Sequence, residues 1–398
     1  MSNPFVTIDD FLSMPVFFWH TVGVDPYKTV TDKIKRWKLR VNYIIQILNL
    51  NFILAMELAF LYLSFKNSEN FVQACMVMAF VGFVCVGELK IVKVWWQRNH
   101  LDALVREMES IFPSPEAEAQ DKYQVDLYRK RCRWIMKFLI SIFLILITTY
   151  NLFDIVQFIT HRYVLKVSDA RMAMPYTPIS PWGLDTKMGF TTMYALQALA
   201  GYTCTAGQLS SAILIYGVVM QDIMHFDYLS RTLKGLKLSL ATYAEDLKVL
   251  QQLIIYHNKL MRITDVINEV FGVTLLLNFL ASSILVCMLG FQISIGLSPE
   301  LVYKMFIYLV AATMETYLLC YFSDSLIVAS EGVSWAVYEM NWLETDRRFA
   351  KMLILIAVRA QKPVFLKATV FLDISMETMT KFLQVSYRFF CVIRTMYG

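Results

Sequence analysis

The stretch that decides the fold is the C-terminal one. It begins Ser330-Glu331-Gly332-Val333-Ser334-Trp335-Ala336-Val337-Tyr338, passes Asn341-Trp342 and Asp346-Arg347-Arg348, and enters an apolar run from Phe349 to Ala360. Gln361-Lys362-Pro363 stops that run, because proline has no N–H to donate and disfavours helix in the residue before it. A second helix is expected from about Thr378 to Tyr397. Glu377, Lys381, Gln384, Arg388 and Thr395 recur there at helical spacing among Phe, Val, Leu and Ile. Ionisable residues in a span face protein or water rather than lipid. A last helix with such a polar stripe predicts an assembly whose final helices surround something wet.

Working outward, the remaining chain reads as membrane. Of 398 residues, 57% are hydrophobic and 17% charged, and the mean hydropathy is +0.49; this excludes an ordinary soluble domain. A net charge of +5 is too diffuse to point to nucleic acid. No secretory signal peptide is read, since Asp9 and Asp10 stand where a basic segment would precede an apolar core. The first span is therefore expected to act as its own insertion signal.

Residues 1–40 form an arm, expected in the cytosol. Phe11, Val16, Phe17, Phe18 and Trp19 are expected to lie on the membrane surface, followed by the basic cluster Lys33, Lys35, Arg36, Lys38 and Arg40. Six spans are expected within 41–328, at about 41–65, 71–95, 134–158, 191–220, 270–295 and 301–328. Each is long enough for a hydrocarbon core of about 30 Å. Glu88, Lys90 and Lys93 fall at the far end of the second. The loop 161–189 reads as irregular, with Pro175, Pro178 and Pro181. Gly296-Leu297-Ser298-Pro299 reads as a short turn. Segment 225–268 is polar, but Leu247, Leu250, Leu253, Ile254 and His257 keep helical spacing, so helices projecting into solvent are expected. Segment 329–398 adds an anchor and the last helix, broken near Pro363. The expected fold is all-α, with seven transmembrane helices.

Lys and Arg crowd the arm and the segments on its side, which puts the N-terminus in the cytosol and the C-terminus outside. A G-protein-coupled receptor has the reverse topology, and its Asp-Arg-Tyr-type and Asn-Pro-x-x-Tyr motifs are absent. The five histidines are scattered, without a His-Glu-x-x-His arrangement, so no catalytic or metal site and no cofactor is expected. A transporter would show internal repeats or paired broken helices; one break, at the end, is visible. The seven cysteines fall mostly within spans and none in the large 161–189 loop, so no disulfide is expected there.

The chain resembles the insect odorant receptor family. The residues that carry the resemblance are Ser330, Ala336, Tyr338 and Trp342, then Arg348, Ala360-Gln361-Lys362-Pro363, Ala368 and Ile374-Ser375, leading to Ser386-Tyr387-Arg388-Phe389-Phe390. Met224-His225-Phe226-Asp227-Tyr228-Leu229 is similar to the family's segment after span four. Related gustatory receptors end with a Tyr, five apolar residues and Gln-Phe; here Ile393-Arg394 stands six positions beyond Tyr387, so that signature is missing.

The resemblance implies a tuning subunit of a tetrameric, odorant-gated cation channel. Its expected partners are a shared coreceptor, a small volatile ligand and membrane lipid. The implied place is the plasma membrane of olfactory neurons, in the dendrite. It also implies a pore lined by the second half of the last span, with an apolar constriction at Val392 and Met396. These share a helix face, as two simply packing residues would too. Lys381 and Arg388 lie near that face. They would either repel cations, or be spent on a Glu377–Lys381 pair and a neighbouring carbonyl.

The implied odorant site lies in the outer half of the bundle. Its candidates are Phe80 and Phe83 in span two, Thr148, Tyr150, Asn151 and Asp154 in span three, and Tyr194, Gln197, Ala198 and Tyr202 in span four. Asp154 needs a partner, protonation or a route to the surface. The small residues Ala198, Ala200, Gly201, Thr203, Ala206, Gly207, Ser210 and Ser211 either admit close helix packing or leave room for a ligand.

Overall fold

Apolar runs with few internal glycines or prolines become helices much longer than a bilayer requires. The computed structural model describes residues 5–66, 71–166, 172–176, 179–236, 243–294, 299–340, 346–369 and 372–397. In chain order the helices are α1 (Asp9–Thr21), α2 (Lys33–Lys66), α3 (Phe71–Glu109), α4 (Ala117–Tyr123), α5 (Val125–Ile159), α6 (Lys187–Gly235), α7 (Tyr243–Ser294), α8 (Pro299–Glu339), α9 (Arg347–Ala360) and α10 (Met376–Tyr397). A π-helical turn, Thr160–Val164, ends α5. The turn expected at 296–299, the Asn341-Trp342 pair and Pro178 fall wholly or largely outside the described residues.

Among the described residues, five helices are apolar and long enough to cross a membrane by composition alone: α2, α5, α6, α7 and α8. α3 and the polar-striped α10 complete the seven. At about 1.5 Å per residue, the 49 residues of α6 and 52 of α7 run far beyond a hydrocarbon core. The expected solvent helices of 225–268 are thus continuations of α6 and of α7 rather than separate elements. α6 is the central post: nearly every residue from Thr203 to Phe226 is buried.

The arm departs from expectation. α1 is packed into the bundle against α6, with Phe11, Leu12 and Trp19 fully enclosed. Gly217 permits the approach: a Cβ there would lie 2.9 Å from Leu12 Cδ2. Arg133 on α5 pairs with Asp10 at 2.8 Å. A helix end leaves carbonyls without partners, and α2 supplies them: Asn42 Nδ2 and Gln46 Nε2 donate to the Thr21 carbonyl at 3.0 and 2.7 Å. Gly23, at φ +84°, reverses the chain where a Cβ would meet the Leu39 carbonyl at 2.6 Å. Of the residues expected at the membrane surface, Phe11 and Trp19 are instead enclosed by protein, Val16 and Phe18 are half-buried, and Phe17 is exposed.

The break at Pro363 is wider than one proline requires. α9 stops at Ala360, and the chain then forms a short antiparallel hairpin, Lys367–Ala368 with Leu372–Asp373, before α10. Asn268 on α7 holds that crossing, accepting from Lys367 N–H at 2.8 Å and donating to the Phe365 carbonyl at 2.9 Å.

Candidate ligand-binding site

Between α3, α5, α6, α7 and α8 lies an apolar cavity of about 280 Å³. Its walls include Met78, Phe83 and Val86 of α3, Phe143 and Leu146 of α5, and Leu277, Ala281 and Leu285 of α7. It opens between α3 and α7, where Leu280 and Ile284 are exposed. A smaller chamber of about 30 Å³ adjoins it, walled by Phe80, Phe83, Leu146, Ile147, Tyr150, Tyr176, Thr205 and Tyr308. Phe83, Leu146 and Tyr308 belong to both, so they form the partition.

The small chamber is an aromatic box. Phe80 meets Tyr150 and Tyr176 edge-on at 5.8 Å each, and Phe83 meets Tyr308 edge-on at 5.1 Å. Edge-to-face rings are a favourable arrangement beyond their buried area. Tyr176 enters from the α5–α6 loop. Its N–H donates to Gln197 Oε1 at 3.1 Å and its hydroxyl to Asn151 Oδ1 at 3.3 Å. Gly201 makes the space, since a Cβ there would lie 2.7 Å from Tyr176 Cζ.

Two buried ion pairs flank this space. Lys304 on α8 reaches Asp154 at 2.7 Å and lies 5.1 Å from the centre of the Phe153 ring. At the other end Lys90 on α3, only 2% exposed, meets Glu315 of α8 at 2.9 Å and Asn278 Oδ1 of α7 at 2.7 Å. A charge in an apolar interior is tolerated only with a partner and hydrogen bonds. These contacts tie α5 to α8 and α3 to α7 and α8.

The sequence candidates divide accordingly. Phe80, Phe83 and Tyr150 wall the chambers. Asn151 and Gln197 position Tyr176, and the Tyr194 hydroxyl donates to the Asn151 carbonyl. Asp154 is held by Lys304. Thr148 is on the exposed face of α5, and Ala198 is half-buried and outside both linings. Tyr202 turns away and donates to Thr21 of α1 at 2.8 Å. Within the small-residue stripe, Gly201 houses Tyr176, and Gly207 lets Ile91 approach, its Cβ position lying 2.5 Å from Ile91 Cγ1.

Sequence reasoning missed Tyr176, Tyr308, Gln208, Asn278, Lys90 and Glu315. Glu315 carried a usable signal, an acid deep in an apolar run and seven positions, two helical turns, from Tyr308. Lys90 reads in the sequence as an end of its span, whereas α3 runs on to Glu109 and leaves it inside the bundle.

On α10, Met379, Phe382 and Ser386 face inward, with Phe382 edge-on to Phe279 at 6.1 Å and Ser386 Oγ 3.3 Å from Ser283 Oγ. Lys381, Arg388 and Val392 occupy the exposed face. Lys381 pairs with Glu377 at 2.7 Å. The side chain of Met396 lies outside the described part of the structure.

Seven helices enclose an aromatic-walled cavity, the architecture of a membrane receptor, and among the described residues no cluster of His, Cys, Asp and Glu could hold a metal ion. The profile described as 7tm Odorant receptor matches residues 70–387, and the chain belongs to that family. It is 41% identical to Odorant receptor 67a of Drosophila melanogaster over 99% of this chain and 97% of that one. It is 34% identical to Odorant receptor 85c of the same organism over 97% and 99%. Among solved structures it is similar to the insect olfactory receptor OR5 from Machilis hrabei in complex with eugenol. The TM-score there is 0.82 at 16% identity, covering 98% of each chain, which shows the fold.

Proposed function

We propose that this chain is the odorant-binding subunit of a heteromeric, ligand-gated, non-selective cation channel formed with the shared odorant coreceptor. It acts in the plasma membrane of olfactory neurons, in the dendrite, with its N-terminus in the cytosol. The observation that carries the reading is the pair of adjoining chambers within the helix bundle. Small-molecule sites are concave, mostly apolar and dotted with a few polar groups; a cavity of about 280 Å³ suits a compact volatile molecule. The OR5 structure from Machilis hrabei holds eugenol, an aromatic of that kind. Phe80, Phe83, Tyr150 and Tyr308 are the proposed odorant contacts.

α10 supplies the proposed gate. Its exposed Val392 joins Met396 as an apolar constriction in an assembly of several chains, where an apolar ring closes a pore by dewetting. The test is voltage clamp of cells expressing this chain with an insect coreceptor, beside each alone, during an odorant screen. Odorant-evoked cation current in the pair, persisting when G proteins are blocked, is expected. Evoked current that vanishes with G-protein block would exclude direct gating.

A further inference from the structure

A separate cavity, of about 120 Å³, lies where the loop after α1, the first turns of α2 and the stretch of α3 around Trp95 meet. Lys28, Arg36, Arg40 and Arg98 line it, beside Trp95 and the carboxylate of Asp25. That carboxylate is engaged within its own turn: it accepts from the Thr29 N–H at 2.9 Å, the Thr29 hydroxyl at 2.6 Å and the Val30 N–H at 3.3 Å. Lys28 lies 3.6 Å from Asp102, which also takes Arg106 at 3.2 Å. Arg36 donates to the Val30 carbonyl at 2.8 Å. Arg40 and Arg98 pair with no carboxylate among the described residues. The Arg98 guanidinium carbon lies 5.5 Å from the centre of the Trp95 ring, a cation–π contact.

The depth of this cavity is fixed independently. Trp37, Trp96 and Trp134 are 64%, 78% and 69% exposed at the ends of the apolar runs of α2, α3 and α5. Exposed tryptophans mark the headgroup level of a bilayer. Trp95 itself is stacked on Tyr43 at 6.0 Å, fixing the wall that carries Arg98.

We propose that this cavity binds the phosphomonoester headgroup of an anionic lipid of the polyphosphorylated inositol class. Guanidinium groups match phosphate oxygens bidentately, and two of them, on different helices, match two phosphates better than the single phosphodiester of an ordinary lipid. Basic pockets between membrane helices on the cytosolic side bind such headgroups. The inference rests on the cytosolic N-terminus proposed above, but not on the odorant or the coreceptor. A bound headgroup would bridge α2, α3 and the Gly23 turn, and so clamp the arm that carries α1 into the bundle.

The test is binding of a fluorescent short-chain phosphatidylinositol bisphosphate to the purified full-length protein, with phosphatidylserine and soluble inositol trisphosphate as competitors. Arg40→Gln with Arg98→Gln is expected to weaken binding about 100-fold or more, because each arginine would lose charge-assisted hydrogen bonds to a phosphate. Lys33→Gln with Lys35→Gln, exposed and outside the cavity, is expected to change it less than about threefold, because salt screens charges that do not touch the headgroup. Equal loss in the two double variants would reduce the site to diffuse attraction and overturn the proposal. So would inositol trisphosphate binding as tightly as the lipid, which marks a soluble-phosphate site, or phosphatidylserine competing equally. If the arginine variant does not fold, wild-type protein decides: the lipid should shield Arg40 and Arg98 from phenylglyoxal modification, read by mass spectrometry. Shielding no greater than at Arg129 or Arg262 would overturn it. Because this assay needs no odorant, its failure leaves the receptor reading standing, and silent odorant screens leave this one.

Discussion

Lys90 shows what a buried charge asks of its neighbours. Its ammonium is satisfied by Glu315 and Asn278 on two other helices, so the pair fixes how α3 meets α7 and α8 beside the cavity. Removing one partner of a buried pair strands the other charge and costs about 3–5 kcal/mol, whereas replacing both by apolar groups is often neutral. Lys90→Met should therefore lower thermal stability sharply, and Lys90→Met with Glu315→Leu should recover most of it. Melting followed by size-exclusion chromatography measures both. A double variant as unstable as the single would show that the pair specifies more than charge balance. Gly201 makes the corresponding prediction for shape. Gly201→Ala intrudes on the Tyr176 ring, so the ring must shift and odorant sensitivity should fall about tenfold, the equivalent of about 1.4 kcal/mol of binding. Adding Tyr176→Leu should make the alanine nearly silent. Additive losses in dose–response curves would separate Gly201 from the aromatic box.

Two buried histidines in the ends of α6 and α7 beyond the expected spans make stability depend on pH. His225 is fully buried, with Nδ1 2.6 Å from the Tyr256 hydroxyl. Burial, then the Lys259 ammonium, pushes its pKa down to about 3. An unfolded histidine takes a proton at about 6.5. The unfolded state therefore binds the proton first, and stability falls as pH drops below that value until the folded group itself titrates. The loss is about 1.4 kcal/mol per pH unit, or about 2 kcal/mol by pH 5. His257, pushed down to about 4 by burial and Arg359, acts in the same sense. Asp222, raised to about 7 by burial, acts oppositely, because there the folded state takes the proton first. The net curve is thus a poor test, and the difference between wild type and His225→Gln is a good one. Wild type should lose its advantage as pH falls from about 7 to 5. Parallel melting curves across that range would exclude titration of His225 as a source of pH dependence.

At the scale of the whole molecule, the sequence shows its helices more clearly than their meetings. The membrane class, the long helical tail of α7 and the stop at Pro363 follow from hydropathy and backbone chemistry within one segment. Phe80, Phe83 and Tyr150 came from the family resemblance, which places a pocket between these spans, and in the structure they stand in the chamber walls. Tyr176 was not legible, because a loop residue enters the bundle only through Gly201 and Gln197, many positions away. Lys90 and Glu315 were hidden for the same reason: partners 225 positions apart leave no local pattern. Burial of α1 depended on Gly217, whose small size has meaning only once α1 is beside it.

α10 is where the single chain looks incomplete. One face packs on α7 and α8, while Lys381, Arg388 and Val392 lie on the exposed face. Lys381 has Glu377 to offset it; the exposed Arg388 has no carboxylate partner among the described residues. If four copies surrounded one axis, four guanidinium groups would ring the path proposed for cations, and like charges in a pore repel the ion they should pass. Coreceptor helices in place of some copies would dilute that ring. The chain alone should consequently conduct poorly, and Arg388→Gln should raise cation current both alone and with the coreceptor. The gain should be larger alone, because more arginines are removed there. Voltage clamp with surface expression measured in parallel decides this. An unchanged current in Arg388→Gln would place the side chain away from the pore, bonded to a neighbouring chain, and would leave the need for a coreceptor to be explained by assembly rather than by charge.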